Sequence, residues 1–471
     1  MSVLDLSPFA VVNTILLGLV LCLISAAFYN VFFHPLRNYP GPRFLAASGL
    51  PSAYGKITGG FSLWTLDLHK KYGPVVRMAP NELSYSNSSS WQDIYASNSA
   101  RPNGMPRDTS FFASIEDENA VPSLVTASDK DHSRIRSNFA KAFSEQALAQ
   151  QRPLIIGHVN TLMKKLHEVH HEDINIVNMF NFTIADILAN LSFGEPMHLL
   201  NDETHRAWVH NQFGCVRSSR ILATLTDFPI FRAIFHVTLS GLVKRARVTY
   251  FGGEKGLTEP ELRSNLPLIL FAGLDTLSAA LSGLVAFLVE APETLQQLQD
   301  EVRSTFPESS AIDAPTMKNM KLLNACINEI LRIYPGAPGE FPRVVPAGGA
   351  MISGKWVPAG IRVYTSPLGA FRSPANFHDP DSFHPERWYT ETDEKFSADD
   401  RNACKPFSIG TSDCVGQRMA KYLLQYIVCE LILQFDIKAR GDSKAWFSKQ
   451  GIWTAWDKPP LMVKLTPVKA L

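Results

Sequence analysis

The sequence predicts a mainly α-helical protein with a small β portion, preceded by one N-terminal transmembrane helix. Three observations predict it. Apolar residues recur with helical spacing over Leu257–Val289, Leu322–Tyr334 and Met419–Leu433. Strand-like patterning is confined to short pieces, around Val75–Met78 and from Arg343 to Val363 with Gly354 and Gly360 at turns. From Leu6 to Phe33 there is no Asp, Glu, Lys or Arg, and a membrane helix needs roughly 20 such residues. The 471 residues suffice for one large domain, and no repeat or shift of composition marks a second.

The apolar start has a competing reading as a cleaved signal peptide. That would want a basic beginning and a shorter apolar core ending in small residues. Here the beginning carries Asp5, and the core runs on through Phe28, Tyr29, Phe32 and Phe33. The first cations, Arg37 and Arg43, follow the span, which places the body on the cytoplasmic side. A retained anchor over residues 1–36 is expected, with the body at 37–471. Pro35, Pro40, Gly41 and Pro42 cannot sit inside a helix and predict a stiff, extended connector.

Composition narrows the class. Lys plus Arg number 45 against 44 Asp plus Glu, a net charge of +1, so no strongly basic nucleic-acid surface is indicated. Six scattered cysteines without a Cys-x-x-Cys pair suit a reducing compartment.

Along the body, a helix is expected over Leu63–Tyr72, broken at Gly73-Pro74 before the strand at Val75. A second opens at Asp131 and runs to about Phe143; in it His132 and Arg136, four apart, share a face. By spacing alone that pair is a solvated basic face. Residues 150–250 read as several helices rich in aromatics, among them Phe180, Phe182 and Phe213, which suit a core or a pocket. Thr258 and Glu261 form a capping-box pattern at the head of the longest helix. In its middle stands Ala272-Gly273-Leu274-Asp275-Thr276. A Thr hydroxyl there can bond the carbonyl four residues back and loosen the helix. The bland alternative is a helix-packing notch with a core hydroxyl.

Glu329 and Arg332 lie three apart in a proline-free helical run, although Glu203/Arg206 and Glu340/Arg343 repeat the spacing. Phe407-Ser408-Ile409-Gly410-Thr411-Ser412-Asp413-Cys414-Val415-Gly416 then precedes the last long helix. Its glycines allow sharp turning and close approach to a flat ligand. A sulfur beside a helix N-terminus favours the thiolate.

The Phe-x-x-Gly-x-x-x-Cys-x-Gly run resembles the haem-binding loop of the cytochrome P450 family. The likeness spans the chain, because 132–136, 272–276, 329–332, 383–388 and 407–416 occur in the family's order. The segments 29–36 and 68–77 resemble fungal microsomal members that oxygenate secondary metabolites, including trichothecene-type hydroxylases. The resemblance implies a cytochrome P450 fold with haem b (iron-protoporphyrin IX), Cys414 as its iron ligand and Phe407, Gly410 and Gly416 shaping the loop. It implies His132, Arg136 and Arg343 at the haem propionates, with Ala272 and Gly273 against the ring. Asp275 and Thr276 become the proton relay for O2 activation, and Glu329, Arg332 and Arg387 a buried ion network. The zone 150–250 becomes the roof of the substrate pocket.

A haem-thiolate monooxygenase acting on an apolar small molecule, a terpenoid or polyketide, is therefore expected. It would be a monomer anchored in the endoplasmic reticulum membrane. No flavin or nicotinamide domain is recognisable, so electrons would come from NADPH through a separate reductase, which Lys405, Arg418 and Lys421 could meet. Two departures stand out. Ser412 replaces the family's usual Arg or His, and the chain is shorter than the family between Arg245 and Gly256. An oxygen-independent rearrangement enzyme and a non-catalytic haem-binding product are the competing readings.

Overall fold

A computed structural model describes residues 8–97, 101, 104–108, 121, 123–228, 231, 259–389, 394–441 and 443–468. The N-terminal helix α1 (Pro8–Phe32) leads into α2 (Arg43–Ala47), α3 (Leu50–Thr58) and α4 (Phe61–Tyr72). Strands β1 (Val75–Ala79) and β2 (Glu82–Tyr85) follow, then α5 (Ser88–Tyr95), α6 (Asp129–Ala142) and α7 (Glu145–Val169). After β3 (Ile174–Asn175) come α8 (Ile176–Phe193), α9 (Arg206–Thr226) and the 32-residue α10 (Glu259–Glu290). Helices α11 (Pro292–Thr305), α12 (Ala314–Asn319) and α13 (Lys321–Ile333) precede four short strands: β4 (Arg343–Val344), β5 (Ala350–Ile352), β6 (Lys355–Val357) and β7 (Arg362–Thr365). The chain ends with α14 (Pro367–Phe371), α15 (Gln417–Gln434), β8 (Phe435–Ala439), α16 (Ser443–Ser448), β9 (Ile452–Trp453), β10 (Ala455–Trp456) and β11 (Met462–Pro467).

The small sheet has the order β1-β2-β7-β4. Strand β7 runs parallel to β2 with Leu83 opposite Val363, both fully buried. Burial of both leaves no room for register slip, since a one-residue shift would turn an apolar side chain outward. The main core gathers around α10, which lies along α8 and is contacted by α13 and α15.

Three described helices are long and apolar enough to cross a membrane. Two of them, Ile176–Phe193 and Pro260–Glu290, are 67 % buried over their most apolar window; Phe9–Phe32 is uncovered along its whole window. At 1.5 Å per residue α1 is about 37 Å long, beyond the ~30 Å hydrocarbon core.

The connector after α1 departs from the extended form expected of it. Arg37 N–H donates to the His34 carbonyl (2.9 Å) and Tyr39 N–H to that of Leu36 (3.0 Å), folding it into turns. Leu36 is fully buried, and the Arg77 guanidinium donates to the Asn30 carbonyl in the last turns of α1 (3.0 Å). Gly41 sits at φ 149°, where a Cβ would lie 2.8 Å from the Arg77 carbonyl oxygen. Docking on β1, rather than proline stiffness, fixes the base of the anchor.

Thr258 and the shortened stretch before Gly256 lie outside the described residues. The capping-box expectation for Thr258 and Glu261 therefore falls partly outside them, and among the described residues Glu261 has a tertiary partner. Its carboxylate accepts from Arg134 of α6 (3.3 Å to one guanidinium nitrogen, with a closer second contact), tying that helix to the head of α10.

Candidate functional site

The cysteine loop is closed by its own backbone. Ser408 N–H donates to the Lys405 carbonyl (2.9 Å), Asp413 N–H to that of Gly410 (3.2 Å) and Cys414 N–H to that of Phe407 (2.9 Å). This winding delivers Cys414 three residues before Gln417, the first residue of α15. Gly410 has φ 82°, and a Cβ there would lie 2.1 Å from the Tyr95 carbonyl oxygen, so only glycine fits. At Gly416 a Cβ would lie 4.0 Å from Cys414 Sγ; glycine leaves the space beside the sulfur clear.

Cys414 is accessible, whereas Cys326, Cys404 and Cys429 are buried. Protein nevertheless surrounds most of the Cys414 thiol, and this desolvation pushes its pKa up. The Gly416 N–H and the Arg136 charge pull it down, and Asp413 adds to the rise. Desolvation thus outweighs the helix-end effect expected to favour the thiolate, and a coordinated cation would reverse that balance by deprotonating the thiol.

The expected propionate cations are placed unequally. Arg136 donates to the Asp413 carbonyl (2.7 Å) and pairs with the Asp413 carboxylate, so it braces the loop beside the cysteine. His132, one turn back on α6, is buried. Arg343 is buried with its guanidinium 5.5 Å from the centre of the Tyr95 ring, the residue whose carbonyl abuts Gly410. Ser412 is half-buried.

On α10, the Thr276 hydroxyl donates to the Ala272 carbonyl (2.7 Å); Thr276 is half-buried and Ala272 exposed. Gly273 faces elsewhere: a Cβ there would lie 2.8 Å from Leu188 of α8. Glycine thus eases the packing of α10 against α8 at this position. Asp275 is separated from Thr276 by its surroundings. Its carboxylate is buried against Lys458, a residue no sequence pattern singled out. Burial raises its pKa, and the Lys458 charge opposes the rise.

Beneath these elements Glu329, Arg332 and Arg387 are fully buried together. Glu329 accepts from Arg332 (2.9 and 2.7 Å), Arg387 (3.1 Å), the His384 N–H (2.9 Å) and the Trp388 indole (2.8 Å). Asp399 pairs with the other side of Arg387. The two rival matches are used differently: Glu203 and Arg206 make a solvent-facing pair, and Glu340 pairs with Arg220.

Among the described residues no group of three His, Cys, Asp or Glu side chains gathers to hold a metal ion. A metal at Cys414 must then bring most of its own ligands, as the iron of a porphyrin does. The accessible thiol, the glycine beside it and the exposed Ala272 fit such a group.

The sequence profile of the cytochrome P450 family matches residues 40–252 and 242–465, its two segments meeting in the stretch read as shorter than the family. The chain is 38 % identical to cytochrome P450 monooxygenase aneG of Aspergillus aculeatus, over 94 % of this chain and 89 % of the relative. It is 35 % identical to cytochrome P450 monooxygenase stcF of Emericella nidulans, over 95 % and 98 %. It is 32 % identical to the fusicoccadiene 8-ol C-16 hydroxylase of Alternaria brassicicola, over 96 % and 97 %.

Proposed function

The chain belongs to the cytochrome P450 family and is a P450 monooxygenase; from that premise we propose that it inserts one oxygen atom of O2 into an apolar secondary metabolite, a terpenoid or polyketide. The observation that carries this reading is the accessible Cys414 thiol just before α15, held by a loop that tolerates only glycine at 410. Relatives with names such as fusicoccadiene 8-ol C-16 hydroxylase support a small-molecule hydroxylation.

Haem b bound at Cys414 supplies the redox chemistry of O2 activation. Cys414 would hold the haem iron through its sulfur, with Phe407, Gly410 and Gly416 shaping the loop around it. His132, Arg136 and Arg343 would hold the haem propionates, Arg136 while also bracing the loop through Asp413. Ala272 leaves room on α10, and Gly273 lets α10 settle against Leu188 so that this room is held in place. Thr276 moves a proton at Oγ1 by releasing the Ala272 carbonyl, and Asp275 is the acid behind it.

The uncovered α1 anchors the protein in a membrane, which we assign to the endoplasmic reticulum with the body in the cytoplasm. Electrons come from NADPH through a separate reductase, met by Lys405, Arg418 and Lys421. A carbon monoxide difference spectrum of the reduced protein tests the central assignment. The red-shifted band of a thiolate-ligated haem is expected for the natural chain and lost in Cys414→Ser; its persistence in that variant would reject the reading.

A further inference from the structure

Ser52 on α3 is a buried hydroxyl without a match in the fold. It is 3 % exposed, and its Oγ has no hydrogen-bond partner. A buried hydroxyl left so is costly and calls for a physical reason. Of the buried side chains in this state among the described residues, Ser52 alone belongs to the wall of a cavity of about 470 Å³. The cavity lies between α3, the β1–β2 turn, β7 and the end of α9, and its volume is in the roughly 300–1,000 Å³ range of small-molecule sites. The cysteine loop and α10 contribute nothing to its described wall.

Charge and position define what such a cavity can take. Its charged side chains are already paired: Lys56 donates to both Glu82 oxygens (3.1 Å each), Arg362 to both Asp227 oxygens (3.0 and 3.1 Å), and Arg362 also meets Asp108. A charged ligand must break one of these pairs, whereas an uncharged one leaves them whole. The three carboxylates outnumber the two cations, which further opposes an anion. What remains for a ligand is the Ser52 hydroxyl, able to donate and accept, beside apolar surface from Phe228 and Val344. The cavity also lies at the foot of α1. Asn81 in its wall is bonded to His34, two residues past α1 (2.9 Å), and the Arg77 guanidinium joins the Asn30 carbonyl to that of Pro80 (3.0 and 2.9 Å), another wall residue. With α1 in a bilayer, a molecule reaching this place comes from lipid and has a largely apolar body.

We propose that this cavity is a second binding site, which takes an uncharged alcohol with an apolar, terpenoid-sized body and pairs its hydroxyl with Ser52. The oxygen on the ligand satisfies the buried side chain, and the enclosing ion pairs exclude acids of the same skeleton. An enzyme that oxygenates apolar compounds releases alcohols of this class, so the site retains product at the membrane face. That retention, though not the binding, rests on the monooxygenase reading.

The test uses the full-length holoenzyme in detergent with an azole on the haem iron, whose Soret shift reports that the haem pocket is filled. Equilibrium dialysis then measures uptake of farnesol, farnesene and farnesoic acid by the natural chain, Ser52→Ala and Asp227→Asn. Saturable farnesol binding is expected for the natural chain. It should be weaker by about fivefold in Ser52→Ala, and farnesene should bind the natural chain about fivefold more weakly than farnesol, the effect of one hydrogen bond. Farnesoic acid should be excluded, and Asp227→Asn, which removes the surplus carboxylate, should admit it. Dioleoylglycerol, an alcohol of the bilayer itself, should not displace farnesol; displacement would overturn the assignment to a terpenoid-sized alcohol.

A second readout is the thermal unfolding midpoint. Without ligand, Ser52→Ala should unfold at or slightly above the temperature of the natural chain, because it removes an unsatisfied hydroxyl. Farnesol should raise the midpoint of the natural chain and leave that of the variant where it was. Equal binding of farnesol and farnesene, or equal farnesol binding by the natural chain and Ser52→Ala, would overturn this inference while the azole shift stands. A missing azole shift would instead reject the haem-thiolate reading.

Discussion

Two buried charge clusters in this molecule are built on opposite plans. Around Glu329 the partners are themselves tied to backbone: besides Glu329, Arg332 donates to the Phe371 (2.8 Å), Pro380 (2.7 Å) and Ser382 (3.1 Å) carbonyls. The second cluster joins Lys56 of α3, Glu82 of β2, Arg220 of α9, Asp227 just after it, Glu340 and Arg362 of β7. It borders the 470 Å³ cavity, with Lys56, Glu82, Asp227 and Arg362 in the wall. Burial lowers the pKa of Lys56 and pulls that of Arg220 down to about 10. The first cluster cross-braces a single block of core. The second ties one helix to a sheet across a space, and its charges answer chiefly to one another.

The largest expected effect follows from that contrast. Arg332→Ala leaves Glu329 buried without its main partner and frees three carbonyls, a loss of ~3–5 kcal/mol from the unpaired charge alone. Denaturant unfolding and the haem content of purified protein should both show it. At the cavity the equivalent replacement should be mild. Arg220→Met combined with Glu340→Leu removes both charges of one pair, and such apolar replacement is often neutral or stabilising. A midpoint as low as that of Arg332→Ala would erase the distinction between the clusters.

The smallest effect is one of pH. Burial would raise Glu329, Glu82 and Asp227, but their cationic and hydrogen-bonding partners outweigh it and hold all three below their ordinary values. A depressed carboxylate contributes stability that is complete above its unfolded pKa, about 4, and is lost as pH falls through the folded value. Urea midpoints should therefore be insensitive to these groups near neutrality and fall below about pH 4. Glu82→Gln should reduce that fall only slightly, since Glu329 remains.

Much of the site was legible because it is local in the chain. The Thr276 to Ala272 bond and the Glu329–Arg332 pair span four and three positions on one helix, so periodicity alone brings them together. The cysteine loop carries its geometry in its glycines. What escaped were partners set by packing. Arg136 meets Asp413, 277 positions away, which no local spacing announces. Gly273 read as a place for a cofactor, and only the position of α8 revealed Leu188 opposite it. Trp388 and Asp399 complete the Glu329 network without any signal in spacing, and Lys458 pairs with Asp275 from the far end of the chain.

The chain by itself determined the anchor, the order of helices, the cysteine loop and the residue types able to serve an iron-porphyrin. Those depend on composition and on contacts within a few positions, where backbone geometry leaves little choice. Tertiary structure alone decided which charge faces which: Arg136 on Asp413, Glu261 on Arg134, Lys458 on Asp275. A charged side chain pairs with the nearest opposite charge left in its desolvated surroundings, and that neighbour is known only once the helices have packed.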